Sequence, residues 1–368
     1  MHLQSYRKRN SDKSVMAQPN LTKIAYQTLE IGKTIASLAH KELSSKLMET
    51  LLPEASSESS TLEKELLVKL QKSMTNLRKT DWIEAEEGIY PKSLLFEAPW
   101  LEWAKRYPLI WLDLPSTWQR RMNKKTRDIP NHIDSKSYPD YYLQNFHHQT
   151  DGYLSSHSAK LYDLQVEILF NGTADAMRRR ILSPLKQGIN TFSGRSKEKI
   201  KILDIATGTG RTISQVRSTF PNVEILGLDL SSDYLKQANK YLNTSNKDLV
   251  QLIRGNAEEL PFSNETLQGI TCVYLFHELP QRARKNVIKE CFRVLEPGGV
   301  LIIADSIQLN DSPQFKDVME DFHKVFHEPY YKDYINDDIE SRLTNSGFDL
   351  IEANSYFMTR VWHSDKIS

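Results

Sequence analysis

Hydrophobic residues recur three and four positions apart through much of the first 190 residues, which is the spacing of one helix face. The pattern predicts helices over about 20–51 and 62–74. It predicts further helix within 161–185, which we expect Pro184 and Gly188 to end. The first half of the chain is therefore expected to be mainly helical.

The pattern changes at Lys199, where short runs rich in Ile, Leu and Val begin to alternate with helical segments. The runs are, in order, KIKILDIA, NVEILGLDLS, LVQLIRGNA, LQGITCVYLF and GVLIIADSI. Unbroken apolar runs between helices are typical of buried parallel strands. We therefore predict an α/β fold with a doubly wound, Rossmann-like sheet, whose ligand would bind at the carboxyl ends of the strands.

These patterns divide the 368 residues into four parts. Residues 1–20 are polar and are expected to be a flexible N-terminus. Residues 21–140 are expected to form a mainly helical domain, and 141–198 a helical lid or linker. Residues 199–368 hold the predicted sheet.

Composition narrows the function classes. Lys plus Arg number 48 and Asp plus Glu 47, a net charge of +1, which argues against nucleic-acid binding by bulk charge. No apolar run is long enough for a membrane span. The two cysteines, Cys272 and Cys291, are expected to be buried, and a reducing cytoplasm fits them. No metal site is predicted: His323 and His327 are expected to share a helix face, but no third ligand accompanies them.

Two basic runs and a tryptophan-rich segment remain open to interpretation. The runs at 120–127 and 178–180 are expected to be solvated helix faces, with an anion or RNA contact as the alternative. The segment 81–118 holds five of the six tryptophans. Its rings need packing partners, either in an internal interface or in a pocket wall.

A glycine turn follows the first predicted strand. Residues Asp204 to Gly210 read D-x-A-x-G-x-G, without the third glycine of a dinucleotide fold and without the lysine of a phosphate-binding Walker loop. An acidic residue, Asp229, follows about twenty residues after the turn, where a carboxylate can hold a ribose diol.

Four motifs together resemble the class I S-adenosylmethionine-dependent methyltransferases: DIATGTG, LGLDLS, GNAEELPF and LEPGGVLII. The resemblance implies a seven-stranded sheet closed by an antiparallel pair, with S-adenosylmethionine as methyl donor and S-adenosylhomocysteine as product. It places Asp229 on the ribose and Asn256 and Ala257 at the adenine, and it puts Ala206 where the family has its first glycine. The implied cofactor-binding residues are Asp204, Ala206, Gly208, Gly210, Asp229, Leu230, Asn256, Ala257 and Phe276.

The methyl acceptor is expected at the end of the fourth strand, in the sequence FHELP. His277 is the candidate general base there, with capping of the next helix as the alternative. The block YYLQNFHHQTDGYL is expected to be a lid over the acceptor and adds Tyr142 and His148 as candidate catalytic residues, with plain packing as the alternative. An aromatic insertion after the fifth strand is expected to cover the acceptor from another side.

The resulting hypothesis is an enzyme that methylates a small or medium-sized organic acceptor at oxygen, nitrogen or carbon. No D-P-P-Y sequence is present, so a DNA substrate is not expected. Two alternatives stay open: a methyltransferase for a protein, peptide or RNA, and a non-catalytic regulatory protein that binds the donor. The sequence leaves the oligomeric state undetermined.

Overall fold

The computed structural model describes residues 20–52, 64–131, 133–245 and 250–367. The predicted flexible N-terminus lies outside these residues, apart from Asn20. Within them, no helix is long and apolar enough to cross a membrane. The α-helices described are α1 Leu21–Leu51, α2 Lys64–Glu86, α3 Trp100–Met122, α4 Ser156–Leu169, α5 Ala174–Arg178, α6 Leu182–Ile189, α7 Arg211–Thr219, α8 Ser232–Thr244, α9 Gln281–Val294, α10 Lys316–Val325, α11 Tyr331–Tyr334 and α12 Ile339–Asn345.

The described strands form one seven-stranded sheet in the order β3-β2-β1-β4-β5-β7-β6. They are β1 Lys201–Ile205, β2 Glu224–Asp229, β3 Val250–Arg254, β4 Leu267–Val273, β5 Leu295–Ser306, β6 Phe348–Tyr356 and β7 Thr359–Lys366. The first five are parallel, and β7 runs antiparallel to both β5 and β6. The order reverses between β1 and β4, which places a ligand crevice at that edge. The predicted α/β fold and its closing antiparallel pair are confirmed.

Hydrophobic clusters cover both faces of the sheet. One cluster packs α9 and the 307–343 segment on the sheet and contains both cysteines, Cys272 on β4 and Cys291 on α9. The other cluster joins the opposite face to α6, α7 and the N-terminal part, including Tyr26 of α1 and Trp82 of α2. The N-terminal helices therefore share a core with the sheet. The division at residues 140 and 198 stays a prediction.

The basic run 178–180 is not a solvated helix face, and that expectation was wrong. All three arginines are buried, and each pairs with an acid. Arg179 and Arg180 both contact Asp81 of α2, at 2.6 Å and 2.5 Å, and Arg178 contacts Asp175 at 3.0 Å. A buried charge needs an opposite charge nearby, and the acids that supply it here are brought in by folding.

Two helix ends also differ from the expectation. Pro184 and Gly188 lie inside α6 rather than ending a helix. Pro184 is the third residue of α6, where its missing N–H group costs no intrahelical bond. His323 and His327 do not share a helix face, because α10 ends at Val325.

Candidate functional site

The turn from β1 to α7 has an unusual backbone. Ala206, Gly208 and Gly210 all have positive φ, at 55°, 56° and 87°. Glycine tolerates this left-handed conformation, whereas alanine is strained in it. At Gly210, an added Cβ would lie 3.1 Å from the Ala238 Cβ. The left-handed backbone thus favours glycine at all three positions, and the space beside Gly210 also requires a small residue there.

Asp229 ends β2 and faces this turn. Its Oδ2 accepts a hydrogen bond from the Gly208 N–H at 2.8 Å, and its Oδ1 accepts one from the Ser231 N–H at 2.8 Å. Burial raises the pKa of the Asp229 carboxyl to about 6, and the two amides oppose that rise. Each oxygen keeps a further lone pair, so the carboxylate is fixed in place and able to accept from a diol.

Asp204 lies at the end of β1, beneath the same turn. The Thr271 hydroxyl donates to its Oδ1 at 2.6 Å. Its Oδ2 is buried and has no hydrogen-bond partner among the described residues. Burial raises the pKa of Asp204 to about 7. A buried carboxylate oxygen without a donor is costly, and it marks a position where a ligand's N–H group would be favourable.

A cavity of about 100 Å³ lies at this edge, and we call it the strand-edge cavity. Six of the nine predicted cofactor-binding residues line it: Ala206, Gly208, Asp229, Leu230, Asn256 and Ala257. Asp204, Gly210 and Phe276 do not. Phe276 is buried in the core, and its backbone N–H donates to Asp305 Oδ2 at 2.7 Å. Most of the predicted cofactor-binding residues therefore lie together at this edge of the sheet.

Tyrosines cover the strand-edge cavity from the N-terminal side. Tyr142, predicted as catalytic, lines it, as do Tyr141, Tyr153 and Tyr234. Burial and the nearby Asp229 hold the pKa of Tyr142 well above its usual value. Tyr142 also stacks on Tyr138, with ring centroids 5.5 Å apart. The tyrosine hydroxyls are thus neutral polar groups over the cavity.

A larger cavity, of about 450 Å³, lies among the helices, and we call it the helical cavity. Its walls come from α1, α3, α4 and the end of α10, and include Trp118 from the tryptophan-rich segment. His148, predicted as catalytic, lines this cavity and not the strand-edge cavity. Burial and the neighbouring His327 lower the pKa of His148 to about 4, so its ring is neutral at pH 7.

A third cavity, of about 60 Å³, shares wall residues with both of the others, and we call it the connecting cavity. Tyr162 borders all three, and Tyr274 borders both the strand-edge and the connecting cavity. His277, the predicted base, lines the connecting cavity. Its Nδ1 lies 2.6 Å from Asp305 Oδ1. Burial lowers the pKa of His277, but Asp305 and Glu278 outweigh this and raise it to about 9.

The block expected to be a lid has a strained backbone beside these cavities. His147, His148 and Asp151 have φ of 55°, 57° and 63°, values that side-chain-bearing residues rarely adopt. Arg120 holds the segment by donating to the His148 carbonyl at 2.9 Å. Such strain persists where the surroundings fix the chain, and it clusters at functional sites.

Glu278 belongs to the sequence FHELP, where the reaction centre was expected, whereas Glu328 was missed by the sequence reasoning. Glu278 lines the strand-edge cavity and accepts a hydrogen bond from the Tyr153 hydroxyl. Glu328, from the segment after α10, lies 2.8 Å from His147 Nδ1. The histidine-rich block drew attention to His147. Nothing in the local sequence around Glu328 distinguishes it from the surface acids nearby.

Comparison with known proteins gives a consistent picture. Residues 202–299 match a family model described as a methyltransferase domain. Demethylmenaquinone methyltransferase from Thermotoga maritima is 34% identical over 152 residues, 41% of this chain and 59% of that protein. The enzyme of that name from Lactiplantibacillus plantarum is 30% identical over 161 residues, 43% of this chain and 63% of that protein.

The chain thus spans about 60% of the length of these relatives. A solved S-adenosylmethionine-dependent methyltransferase from Aquifex aeolicus is 16% identical with a TM-score of 0.36, covering 50% of this chain and 92% of that one. That likeness is too low to support an inference. Residues 202–299 thus match a methyltransferase domain, and the strand order and the four motifs agree with the class I S-adenosylmethionine-dependent type.

Proposed function

We propose that this protein transfers a methyl group from S-adenosylmethionine to a small or medium-sized organic acceptor, at oxygen, nitrogen or carbon. The observation that carries the proposal is that the helical cavity lies next to the strand-edge cavity, with Tyr162 in the walls of both. One cavity offers the family's donor contacts, and the other offers a half-open, mainly apolar space for a second molecule.

The described residues fit the donor at both of its polar ends. The Asp229 carboxylate, fixed by two backbone amides, accepts from the ribose hydroxyls. The unpaired Asp204 Oδ2 orients the groups that hold the donor's ammonium, and Asn256 and Ala257 lie at the adenine end. When bound, the donor supplies an electrophilic methyl group on a sulfonium. The chain's part is to align the acceptor in line with that methyl group and to exclude water.

The strand-edge cavity must widen when the donor binds. Its volume of about 100 Å³ is below the roughly 300 Å³ at which pockets for whole organic ligands begin. The tyrosines Tyr141 and Tyr142 form its outer cover, on a segment with little regular structure. We propose that this segment opens to admit the donor and then closes over it, as the interpretation of the block as a lid requires.

The acceptor end is apolar, with polar groups where it meets the donor end. Ile110, Leu114, Val166, Leu169 and Phe326 line the helical cavity. His148 faces it, while His277 and Tyr142 border the connecting and strand-edge cavities. We propose that His277, Tyr142 and His148 contact and orient the acceptor. Because the pKa of His277 is raised to about 9, its ring is mostly protonated at pH 7, and it serves as base for a protic acceptor only in its deprotonated fraction. The relatives' printed name, with demethylmenaquinone as acceptor, also supports a small molecule.

The basic run at 178–180 gives no support to an RNA acceptor, whereas the run at 120–127 is buried only at Arg120 and exposes Lys124, Lys125 and Arg127. The arginines at 178–180 are buried in ion pairs, and Arg120 is buried against the block at 146–152. These charges are unavailable to a phosphate backbone. A protein or RNA acceptor would instead need an open site mouth, whereas tyrosines cover this one.

The test combines donor binding with an untargeted search for the acceptor. The purified protein is incubated with donor and a metabolite extract, and methylated products are sought by mass spectrometry. Val166→Trp fills the junction of the helical and connecting cavities. It should abolish product formation while donor affinity, measured by calorimetry, stays unchanged. Asp229→Ala should weaken donor binding by about 1–3 kcal/mol. Donor binding without any methylated product would favour the regulatory alternative.

A further inference from the structure

Three side chains from distant segments converge between the cavities. His147 comes from the strained block, Glu278 from the turn after β4, and Glu328 from the segment after α10. One ligand atom from each lies within 4.8 Å of the others. His147 Nδ1 is 2.8 Å from Glu328 Oε1, and His147 Nε2 is 3.7 Å from Glu278 Oε1.

Glu328 is the least satisfied member of this cluster. The residue is only 3% exposed, yet neither of its carboxylate oxygens accepts a hydrogen bond of good geometry from any described residue. Its Oε1 is ion-paired with the His147 ring at 2.8 Å, whereas its Oε2 has no partner among the described residues. A buried carboxylate normally has several donors or a bound cation, because burial removes its water. Glu328 therefore keeps one buried carboxylate oxygen, Oε2, without a donor at the cluster.

The backbone holds the three residues at one place. His147 has φ of 55°, and its N–H group donates to the His327 carbonyl at 3.0 Å, directly before Glu328. The Tyr153 hydroxyl donates to Glu278 Oε1 and leaves Oε2 of that carboxylate available. The strained block and the segment after α10 are thus tied together at the cluster.

We propose that His147, Glu278 and Glu328 form a divalent-cation site at the junction of the donor and acceptor cavities. Two carboxylates and one imidazole suit Mn²⁺, Fe²⁺ or Zn²⁺. The two contacts of His147 use opposite ring nitrogens, so one nitrogen would bind the cation, and the three ligand atoms must move closer together to lie about 2.0–2.2 Å from a common centre. Three protein ligands leave positions open for an oxygen of the acceptor.

The location gives such a cation a task, and this part rests on the proposed function. Glu278 lines the strand-edge cavity, while His147 lines the helical and connecting cavities. A cation held by both contacts an acceptor oxygen beside the donor's methyl group. It would favour acceptors that bind through a phenolate, enolate or carboxylate oxygen, because these are hard anionic ligands.

Cation binding can be measured without any enzyme activity. The full chain is treated with EDTA to remove bound metal, dialysed and titrated with MnCl₂. Binding is measured by calorimetry and by the loss of the electron paramagnetic resonance signal of free Mn²⁺. We expect one equivalent to bind and the melting temperature to rise with Mn²⁺. Glu328→Gln keeps the side-chain shape and should weaken binding at least tenfold, while the exposed Glu87→Gln should leave it unchanged.

Two results would overturn the site. One is a parent protein that binds no stoichiometric Mn²⁺ or Zn²⁺, as expected if the His147 ring serves only as a counter-ion between two carboxylates. The other is a folded Glu328→Gln variant that binds as tightly as the parent. Methyl transfer undiminished by EDTA, with no bound cation, would overturn the site and leave the proposed function. Stoichiometric cation binding without any methyl transfer would support the site and contradict the proposed function.

Discussion

Asp229 holds its position through two backbone amides, so its carboxylate is oriented before a ligand arrives. Its location follows from a local motif, because a strand end, an acid and a nearby glycine turn are all encoded within about 30 residues. The same holds for Ala206 and Gly208. Residues that lie close in sequence and share one turn are those whose placement sequence reasoning predicts best.

Donor binding should depend on pH through Asp229. Burial raises the pKa of this carboxyl to about 6, so the group becomes protonated as the pH falls through 6 and then accepts poorly from the ribose. Donor affinity should fall by up to tenfold per unit below pH 6 through Asp229, in addition to a change near pH 7 from Asp204, whose pKa is raised to about 7. Calorimetry between pH 5 and 8 measures this, and Asp229→Asn should give weak binding with a flatter profile. If donor affinity fell with pH equally steeply in that variant, a group other than Asp229 would be responsible for the pH dependence.

Ala206 should be a position where glycine stabilises the protein. A left-handed alanine costs about 1–2 kcal/mol relative to its preferred conformation, while glycine loses more freedom on folding. Ala206→Gly should therefore raise the free energy of unfolding by about 0.5 kcal/mol. Urea denaturation tests this. Ala283→Gly, inside helix α9, is the matched control and should lower it by about 1 kcal/mol or more. A loss at both positions would contradict the strain.

At the scale of elements, a buried ionic network joins α2 to the 178–180 turn. Asp81 accepts from the hydroxyls of Tyr26 and Tyr90, each at 2.7 Å, as well as from Arg179 and Arg180. Burial opposes ionisation of Asp81, but the arginines prevail and lower its pKa to about 2. This single acid thereby ties α1, α2 and the turn before α6 together.

Removing the charge of Asp81 should be severely destabilising. Asp81→Asn leaves the buried arginines short of a counter-charge, and we expect a loss of about 3–5 kcal/mol in the free energy of unfolding. Chemical denaturation measures it, with the exposed Glu49→Gln as control. A loss below 1 kcal/mol would mean that Glu84, 2.8 Å from Arg180, compensates.

The strands could be predicted from the sequence, but contacts between distant segments could not. Alternation of apolar runs and helices predicted the strands, because burial on both faces leaves a strong local pattern. The burial of the arginines at 178–180 in ion pairs could not be predicted in the same way. Asp81 is about 100 residues away, and no local signal pairs it with those arginines. Glu328 was missed for the same reason, since its partners come from two other segments.

At the scale of the molecule, the N-terminal helices and the sheet form a shared core. Trp82, Tyr90 and Leu94 belong to the same hydrophobic cluster as Ile202 and Val300 of the sheet. The helical cavity also lies between the N-terminal helices and the segment after α10. The N-terminal helices thus contribute directly to the space proposed for the acceptor.

A fragment of residues 199–368 should not fold well by itself. Without the N-terminal part, the sheet of the fragment would expose the apolar face that Trp82 and its neighbours cover. Exposed patches of this kind promote aggregation. We expect insoluble protein, or soluble protein without donor binding by calorimetry. A soluble fragment that binds the donor like the full chain would show that the N-terminal part is a separate unit.

The two cysteines are both buried, Cys272 on β4 and Cys291 on α9, and burial raises the pKa of each thiol above its usual value. Thiol reagents attack the thiolate, so the folded protein is nearly inert towards a maleimide dye. One cysteine introduced at the exposed position 140, as Asp140→Cys, would then carry the label alone. It would sit beside the tyrosines over the strand-edge cavity and report their movement as a change in fluorescence.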